Sequence, residues 1–175
     1  MLFPLHAPVQ CLTTVCGVVS GVMLDPPERR VAYVLVQQFG LLAPERMAPV
    51  TAISAVDEHQ ISLNVDEDDF AEYSAMSEPV ELYRLADETP TPFEEHILRH
   101  NARVIAADGP VGRAGALLLA PDWTIEQIVL RHGHLWGART IAIPIGHVAS
   151  ISEFTVTLSL DRRAVEALAG VGGEQ

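Results

Sequence analysis

Several short stretches of the chain alternate between apolar and polar residues. Ile61–Val65 follows this alternation, and Val156–Leu160 repeats it. A period of two places one face of a strand on a core and the other face in water. Val31–Val36 is instead a continuous apolar run rich in β-branched residues, which is typical of a central strand. The pattern therefore predicts an all-β protein with short strands.

Turn-forming residues separate these runs and set the lengths of the predicted strands. The clearest turn signals are Asp25-Pro26-Pro27, Asp108-Gly109-Pro110, Pro121-Asp122 and Arg131-His132-Gly133. Short strands at this spacing indicate a small barrel or sandwich. Residues 1–24, where no side chain carries a formal charge, are interrupted by prolines, glycines and polar residues, so we predict two strands and a turn there and no membrane span.

The chain also resembles itself when it is shifted by 95 positions. The aligned pairs include Val9 with Val104, Gly17 with Gly112, Leu24 with Leu119 and Leu63 with Leu158. In some places the shift changes slightly, as insertions in loops between retained strands would cause. We therefore predict two tandem small β-barrels, residues 1–73 and 101–175, each closing its own sheet around its own apolar interior.

Each predicted barrel ends with a short helix. Asp66 and Asp161 stand where an N-cap is expected, and acidic residues follow Asp66 in the opening turn. Residues 74–100 form the predicted linker, with an extra strand at Val80–Tyr83 and a short helix from Pro92 through Arg99. A disordered tail is predicted after the second helix.

The two cysteines, Cys11 and Cys16, are five positions apart. On one continuous strand they would point to opposite faces, so we predict that they are unpaired, small buried side chains. Unpaired cysteines fit a reducing compartment, and a cytoplasmic location is the corresponding prediction.

Charge narrows the class of partner. The formal net charge is −12, with 23 acidic and 11 basic residues, and every basic residue is an arginine. An acidic surface repels phosphate backbones, so direct binding of nucleic acid is not expected, whereas a basic protein partner is compatible. The absence of lysine from the sequence excludes Schiff-base chemistry and a P-loop lysine.

The candidate binding residues lie in one loop of the second half. His132 and His134 are two positions apart and are candidate zinc ligands, although a zinc site needs three or four. Trp136 is either an exposed contact residue or a cover for the barrel end, and Arg139 ends the same loop. The four tentative binding residues are therefore His132, His134, Trp136 and Arg139. No catalytic residue, metal or cofactor is predicted.

The second half resembles the PRC-barrel family. The resemblance covers residues 102–168 and, less well, 8–73. It rests on the succession Asp108–Arg113, Ala120–Asp122, Ile128–Arg131, Gly133–Gly137 and Ile141–Pro144. The same fold occurs in the cytoplasmic domain of the photosynthetic reaction-centre H subunit and in the C-terminal domain of a ribosome-maturation factor. The resemblance implies a docking or structural module, with no shared catalytic residues to carry over.

These observations together favour a non-enzymatic interaction or structural adaptor with two PRC-like barrels. The alternative is a small-ligand or metal sensor that uses the groove between the barrels or His132 and His134. Two similar barrels can pack within one chain or against another subunit, so a homo-oligomer is compatible with the sequence.

Overall fold

The computed structural model describes residues 1–25, 29–76, 96–132 and 139–168, and the side chains of all of these except residues 132 and 139. The first part contains β1 (Leu2–Pro4), β2 (Pro8–Gln10), β3 (Val15–Asp25), β4 (Arg30–Gln37), β5 (Glu45–Pro49), β6 (Ile53–Val56), β7 (Ile61–Leu63) and α1 (Glu67–Ala71). The second contains β8 (Ile97–Arg99), β9 (Arg103–Ala106), β10 (Gly109–Leu119), β11 (Ile125–His132), β12 (Arg139–Pro144), β13 (Val148–Ser152), β14 (Thr155–Leu158) and α2 (Arg162–Ala167). Short 3₁₀ helices lie at Val50–Ala52 and Ile145–His147.

These strands form two seven-stranded sheets with the same order. One sheet runs β5-β4-β3-β2-β7-β6 and the other runs β12-β11-β10-β9-β14-β13. In both sheets the pairing is antiparallel except for one parallel pair, β2 with β7 and β9 with β14. Among the described residues neither order closes on itself, so the structure shows two sheets and two short helices in a mainly β protein.

The seventh strand of each sheet comes from the other half of the chain. The N-terminal strand β1 pairs with β10, so that Phe3 lies opposite Leu117. The strand β8, which precedes the second half, pairs with β3, so that Leu98 lies opposite Val22. These two pairings correspond at a shift of 95 positions. Each sheet is therefore completed by a strand that belongs, in sequence order, to the other half.

Strand β8 changes one expectation about the predicted linker. Ile97–Arg99 is extended and paired, so the helix predicted to continue through Arg99 is wrong at that end. The physical reason is that Ile97 and Leu98 are both buried in a sheet, which a helix at this position would not allow. The predicted strand at Val80–Tyr83, the start of the predicted helix and the predicted tail lie outside the described residues.

The apolar interior is shared by the two halves. One cluster of buried side chains runs from Phe3 through Phe70 to Val165, and a smaller one contains Met23 and Leu35. The prediction of two separate interiors is therefore wrong. Its physical reason is the strand exchange, because the buried side chains of β1 and β8 are carried into the sheet of the other half.

Two glycines that align in the repeat have the same role in the two sheets. A Cβ atom at Gly17 would lie 2.4 Å from the carbonyl oxygen of Gln37, and one at Gly112 would lie 2.6 Å from that of Arg131. These distances are too short for any side chain. Glycine is therefore required where β3 approaches β4 and where β10 approaches β11.

The two helix caps are confirmed. The Asp66 carboxylate accepts a hydrogen bond from the backbone N–H of Asp69 at 2.9 Å. The Asp161 carboxylate accepts one from Ala164 at 2.7 Å. Both satisfy a backbone N–H that has no partner within the helix. None of the helices in the described ranges has the length and apolar composition needed to span a membrane.

The prediction that the two cysteines are buried is confirmed, but the prediction that they are unpaired is wrong, because Cys11 and Cys16 form a disulfide. The two residues do not lie on one strand. The chain turns between them, with the N–H of Cys11 donating to the carbonyl of Thr14 at 2.8 Å, and Cys16 returns along β3. Their Cα atoms are consequently 5.9 Å apart, and both side chains are buried.

Candidate functional site

A groove of about 430 Å³ opens next to β3 of the first sheet. Its walls come from β3, the end of β4, the residues after β1 and β8, and the turn between β13 and β14. The side chains that define its chemistry are His6, Ser20, Phe39, Arg99, His100 and Phe154. The groove therefore lies where the exchanged strand β8 meets the first sheet.

Two histidines stack at one side of this groove. His6 follows β1 and His100 follows β8, and their rings lie 4.3 Å apart between centroids with an interplanar angle of 16°. The backbone N–H of His100 donates to the carbonyl of Ser20 at 2.9 Å. The equivalent contact in the other half joins the N–H of Leu5 to the carbonyl of Gly115 at 3.0 Å. The strand exchange thus fixes the backbone beside both histidines.

The stacked position favours a neutral ring on His100. Burial lowers the pKa of His100, and the positive potential of His6 and Arg131 lowers it further. Burial and nearby positive charge both disfavour the imidazolium form. At neutral pH the groove therefore presents a neutral imidazole at His100, which can accept or donate one hydrogen bond.

Arg99 at the end of β8 joins three elements through carboxylates. Its Nε donates to an oxygen of Glu153 at 2.9 Å, and its Nη1 donates to Glu45 on β5. Burial alone would lower the pKa of Arg99, but hydrogen bonds and charge from Glu45 and Glu153 raise it overall. The guanidinium is therefore charged and compensated, and its contacts hold β8 against the first sheet.

The rim of the groove is aromatic and exposed. Phe39 and Phe154 each have 63% of their surface accessible. Leu41 and Leu42 follow Phe39 closely in the chain and are almost fully exposed, and Leu42 has a backbone φ of 67°. Aromatic residues at a concave surface are typical anchors for a partner. An apolar contact is therefore the chemistry that this rim suits best.

The hydroxyl of Ser20 at the groove is engaged by neighbouring oxygen atoms. It donates to the carboxylate of Glu45 and lies 3.2 Å from the carbonyl oxygen of Leu35. In the described part of the chain, no hydrogen bond joins this hydroxyl to an imidazole, so Ser20 is not part of a Ser–His pair there.

The predicted binding residues stay untested. His134 and Trp136 lie outside the described residues. His132 and Arg139 face each other in the backbone register of β11 and β12, but their side chains are not among those described. Within the described ranges, no three His, Cys, Asp or Glu side chains come together as a metal site would need.

Sequence reasoning did not find the groove. Its residues come from segments far apart in the chain, and only the strand exchange brings His6 to His100. One signal was present, because Phe39-Gly40-Leu41-Leu42 places large apolar residues where a turn is expected after β4. In comparisons with known proteins, no protein-family model and no curated protein sequence match the chain.

Proposed function

We propose that this protein is a non-enzymatic interaction adaptor built from two PRC-like barrels, and that the groove next to β3 receives an apolar side chain of a protein partner. The observation that carries the proposal is the pair of exposed phenylalanines at the rim, Phe39 and Phe154. The resemblance of the second half to PRC-barrel domains supports a docking role, as does the common strand order of the two sheets.

The partner that fits the chain as a whole is basic. A net charge of −12 attracts a cationic protein and repels nucleic acid. At the groove, the carboxylates of Glu45 and Glu153 pair with the guanidinium of Arg99, and this cluster of three side chains carries an excess of one negative charge. A partner residue that combines an apolar stem with a positive charge would match both features.

The experiment is site-specific photo-crosslinking in the native host. A photoreactive residue is placed at Phe39 or at Phe154, and a control carries it at Leu12, which is 66% exposed outside the groove. The proposal expects one common protein to be crosslinked from both rim positions and not from Leu12. The purified partner should then bind Phe39→Ala and Phe154→Ala variants at least tenfold more weakly. Equal binding to the Leu12→Ala and rim variants would refute the groove as the docking site.

A second function, sensing of a small ligand or metal, is favoured by the size of the groove. Ligand sites have volumes of about 300–1,000 Å³, and this groove falls within that range. For the metal form of this proposal, His132 and His134 are the ligands to test. Stoichiometric zinc in the purified protein that disappears in a His132→Ala/His134→Ala variant would support it.

A cytoplasmic location is also proposed, and the Cys11–Cys16 disulfide weighs against it, because disulfides persist mainly in oxidising compartments. Alkylation of thiols during lysis of native cells measures this directly. Free thiols on both cysteines would support the cytoplasm, whereas protection until reduction, which the disulfide predicts, would favour an oxidising compartment.

A further inference from the structure

Three arginines form a row across neighbouring strands of the second sheet. Arg103 on β9 lies opposite Arg113 on β10, and Arg113 lies opposite Arg131 on β11. All three side chains are exposed. Each is followed or preceded by a fully buried residue, namely Val104, Ala114 and Leu130, so the arginines share the outer face of the sheet.

Hydroxyl groups extend this arginine row at both ends. Thr155 on β14 lies beside Arg103, and Thr140 on β12 lies opposite Arg131. Both threonines are partly exposed and stand next to buried residues in their own strands, so they point outward as well. The row therefore runs threonine, three arginines, threonine across five adjacent strands.

Repulsion between the positive charges of the arginine row lowers the stability of the sheet, and no described carboxylate offsets it. Like charges directly opposite each other on neighbouring strands destabilise a sheet. Within the described ranges, none of the three arginines has a carboxylate at ion-pair distance. The one hydrogen bond recorded for their side chains runs from Arg113 Nη1 to the carbonyl of Asn101 at 2.9 Å. Three uncompensated cations in a chain of net charge −12 indicate a binding surface for an anion.

We propose that the arginine row binds an acidic α-helix of a partner protein, which presents one carboxylate on each successive turn. Neighbouring strands are about 4.8 Å apart, so the arginines recur at that interval across the sheet. Carboxylates at positions i, i+3 and i+7 of a helix recur about every 5 Å along its axis. An extended peptide offers same-face side chains only about every 6.7 Å, which fits the row less well.

The corresponding positions of the first sheet show why the two halves differ. At shifts of 95 and 94 positions, Arg113 corresponds to Val18 and Arg131 corresponds to Gln37. Val18 and Gln37 line the groove described above. The same place in the fold is therefore uncharged in the first sheet and cationic in the second, so one adaptor carries two chemically distinct docking surfaces. This inference rests on the proposed adaptor function, since it adds a second partner surface.

The test uses the full chain and two labelled helical peptides of identical composition. One peptide carries glutamates on a single face, one per turn, and its isomer distributes them around the helix. Fluorescence anisotropy should show binding of the first peptide at least tenfold tighter than the isomer, and binding should weaken as salt is added. Arg103→Gln, Arg113→Gln and Arg131→Gln should each weaken it about threefold, and the triple variant about thirtyfold. Arg163→Gln is the matched control, because Arg163 is exposed on α2, outside the row.

Several outcomes would overturn the arginine-row proposal. They are equal affinity for both peptides, tighter binding of single-stranded DNA of the same charge, no binding at all, or a dimer of the chain that disappears in the triple variant. Circular dichroism and the Tm of each variant establish that it is folded. If a partner still crosslinks at Phe39 while the peptides do not bind, the arginine-row proposal is refuted and the adaptor function is supported. If the first peptide binds and no partner crosslinks at the groove, the groove is refuted as a docking site and the arginine-row proposal is supported.

Discussion

Replacing Phe3 with alanine tests whether the N-terminal strand is an integral part of the second sheet. In this structure Phe3 is fully buried, lies opposite Leu117 and packs edge-to-face on Trp123 with ring centroids 6.2 Å apart. We therefore expect Phe3→Ala to behave as a substitution in the centre of the core.

The magnitude follows from the burial of Phe3. Truncating a fully buried phenylalanine to alanine costs about 3–5 kcal/mol of unfolding free energy, including the cavity that is left. The edge-to-face contact with Trp123 contributes about 0.5–1.5 kcal/mol beyond its buried area, so the upper half of that range is expected. Because domains unfold with about 5–15 kcal/mol in total, the loss is a large fraction of the stability. At about 2–4 °C per kcal/mol, the Tm should fall by roughly 8–20 °C.

The assay is urea unfolding followed by circular dichroism, with the intrinsic fluorescence of Trp123 and Trp136 as a second signal. Phe39→Ala is the matched control, since Phe39 is 63% exposed and its truncation should change stability by no more than about 0.5 kcal/mol. If Phe3→Ala prevents folding, Phe3→Leu offers a milder change of about 1 kcal/mol. A Phe3→Ala variant as stable as the Phe39→Ala variant would refute the docking of β1 on β10.

Three further predictions concern β8, the disulfide and the stacked histidines. Gly21→Ala should destabilise the protein by about 1–3 kcal/mol in urea unfolding, because its Cβ would lie 2.7 Å from a carbonyl oxygen of β8. Gly146→Ala is the control and should be neutral, because a Cβ there meets nothing within 4 Å. Cys11→Ser should lower the unfolding free energy by about 2 kcal/mol, as expected for the short loop that the disulfide closes. In the native protein both cysteines should react with iodoacetamide only after reduction, and alkylation without reductant would contradict the disulfide. The pKa of His100 lies below its ordinary value of 6.5, so the imidazole binds a proton more tightly in the unfolded chain than in the folded one. The contribution of His100 to stability should therefore be complete above about pH 7 and decline as the pH falls below 6.5. A pH series of Tm values that is no flatter for His100→Gln than for wild type would contradict this.

The local features of the fold could be predicted from the sequence because each depends on neighbouring residues. The alternation at Ile61–Val65 and Val156–Leu160 marks β7 and β14, and the N-caps at Asp66 and Asp161 form as expected. Each of these signals depends only on residues within a few positions of one another in the sequence. No knowledge of the partner strand is needed to interpret them.

The exchanged strands could not be predicted in the same way, because β1 and β8 are only three residues long. Three residues are too few to show a period, and β1 contains Pro4, which usually argues against a strand. The disulfide was missed for a related reason, since the distance between Cys11 and Cys16 depends on the turn between them. The groove requires both the exchange and the turn after β4.

The exchange of β1 and β8 has a consequence for synthesis on the ribosome. The nitrogen of Met1 donates to the carbonyl of Leu119, 118 positions later in the chain, so β1 cannot find its place until β10 has been translated. Until then Phe3 is exposed, and the nascent first sheet has a vacant edge along β3. Synthesis from one end therefore imposes a waiting period, during which that edge is open to a trans-acting chaperone or to a neighbouring nascent chain.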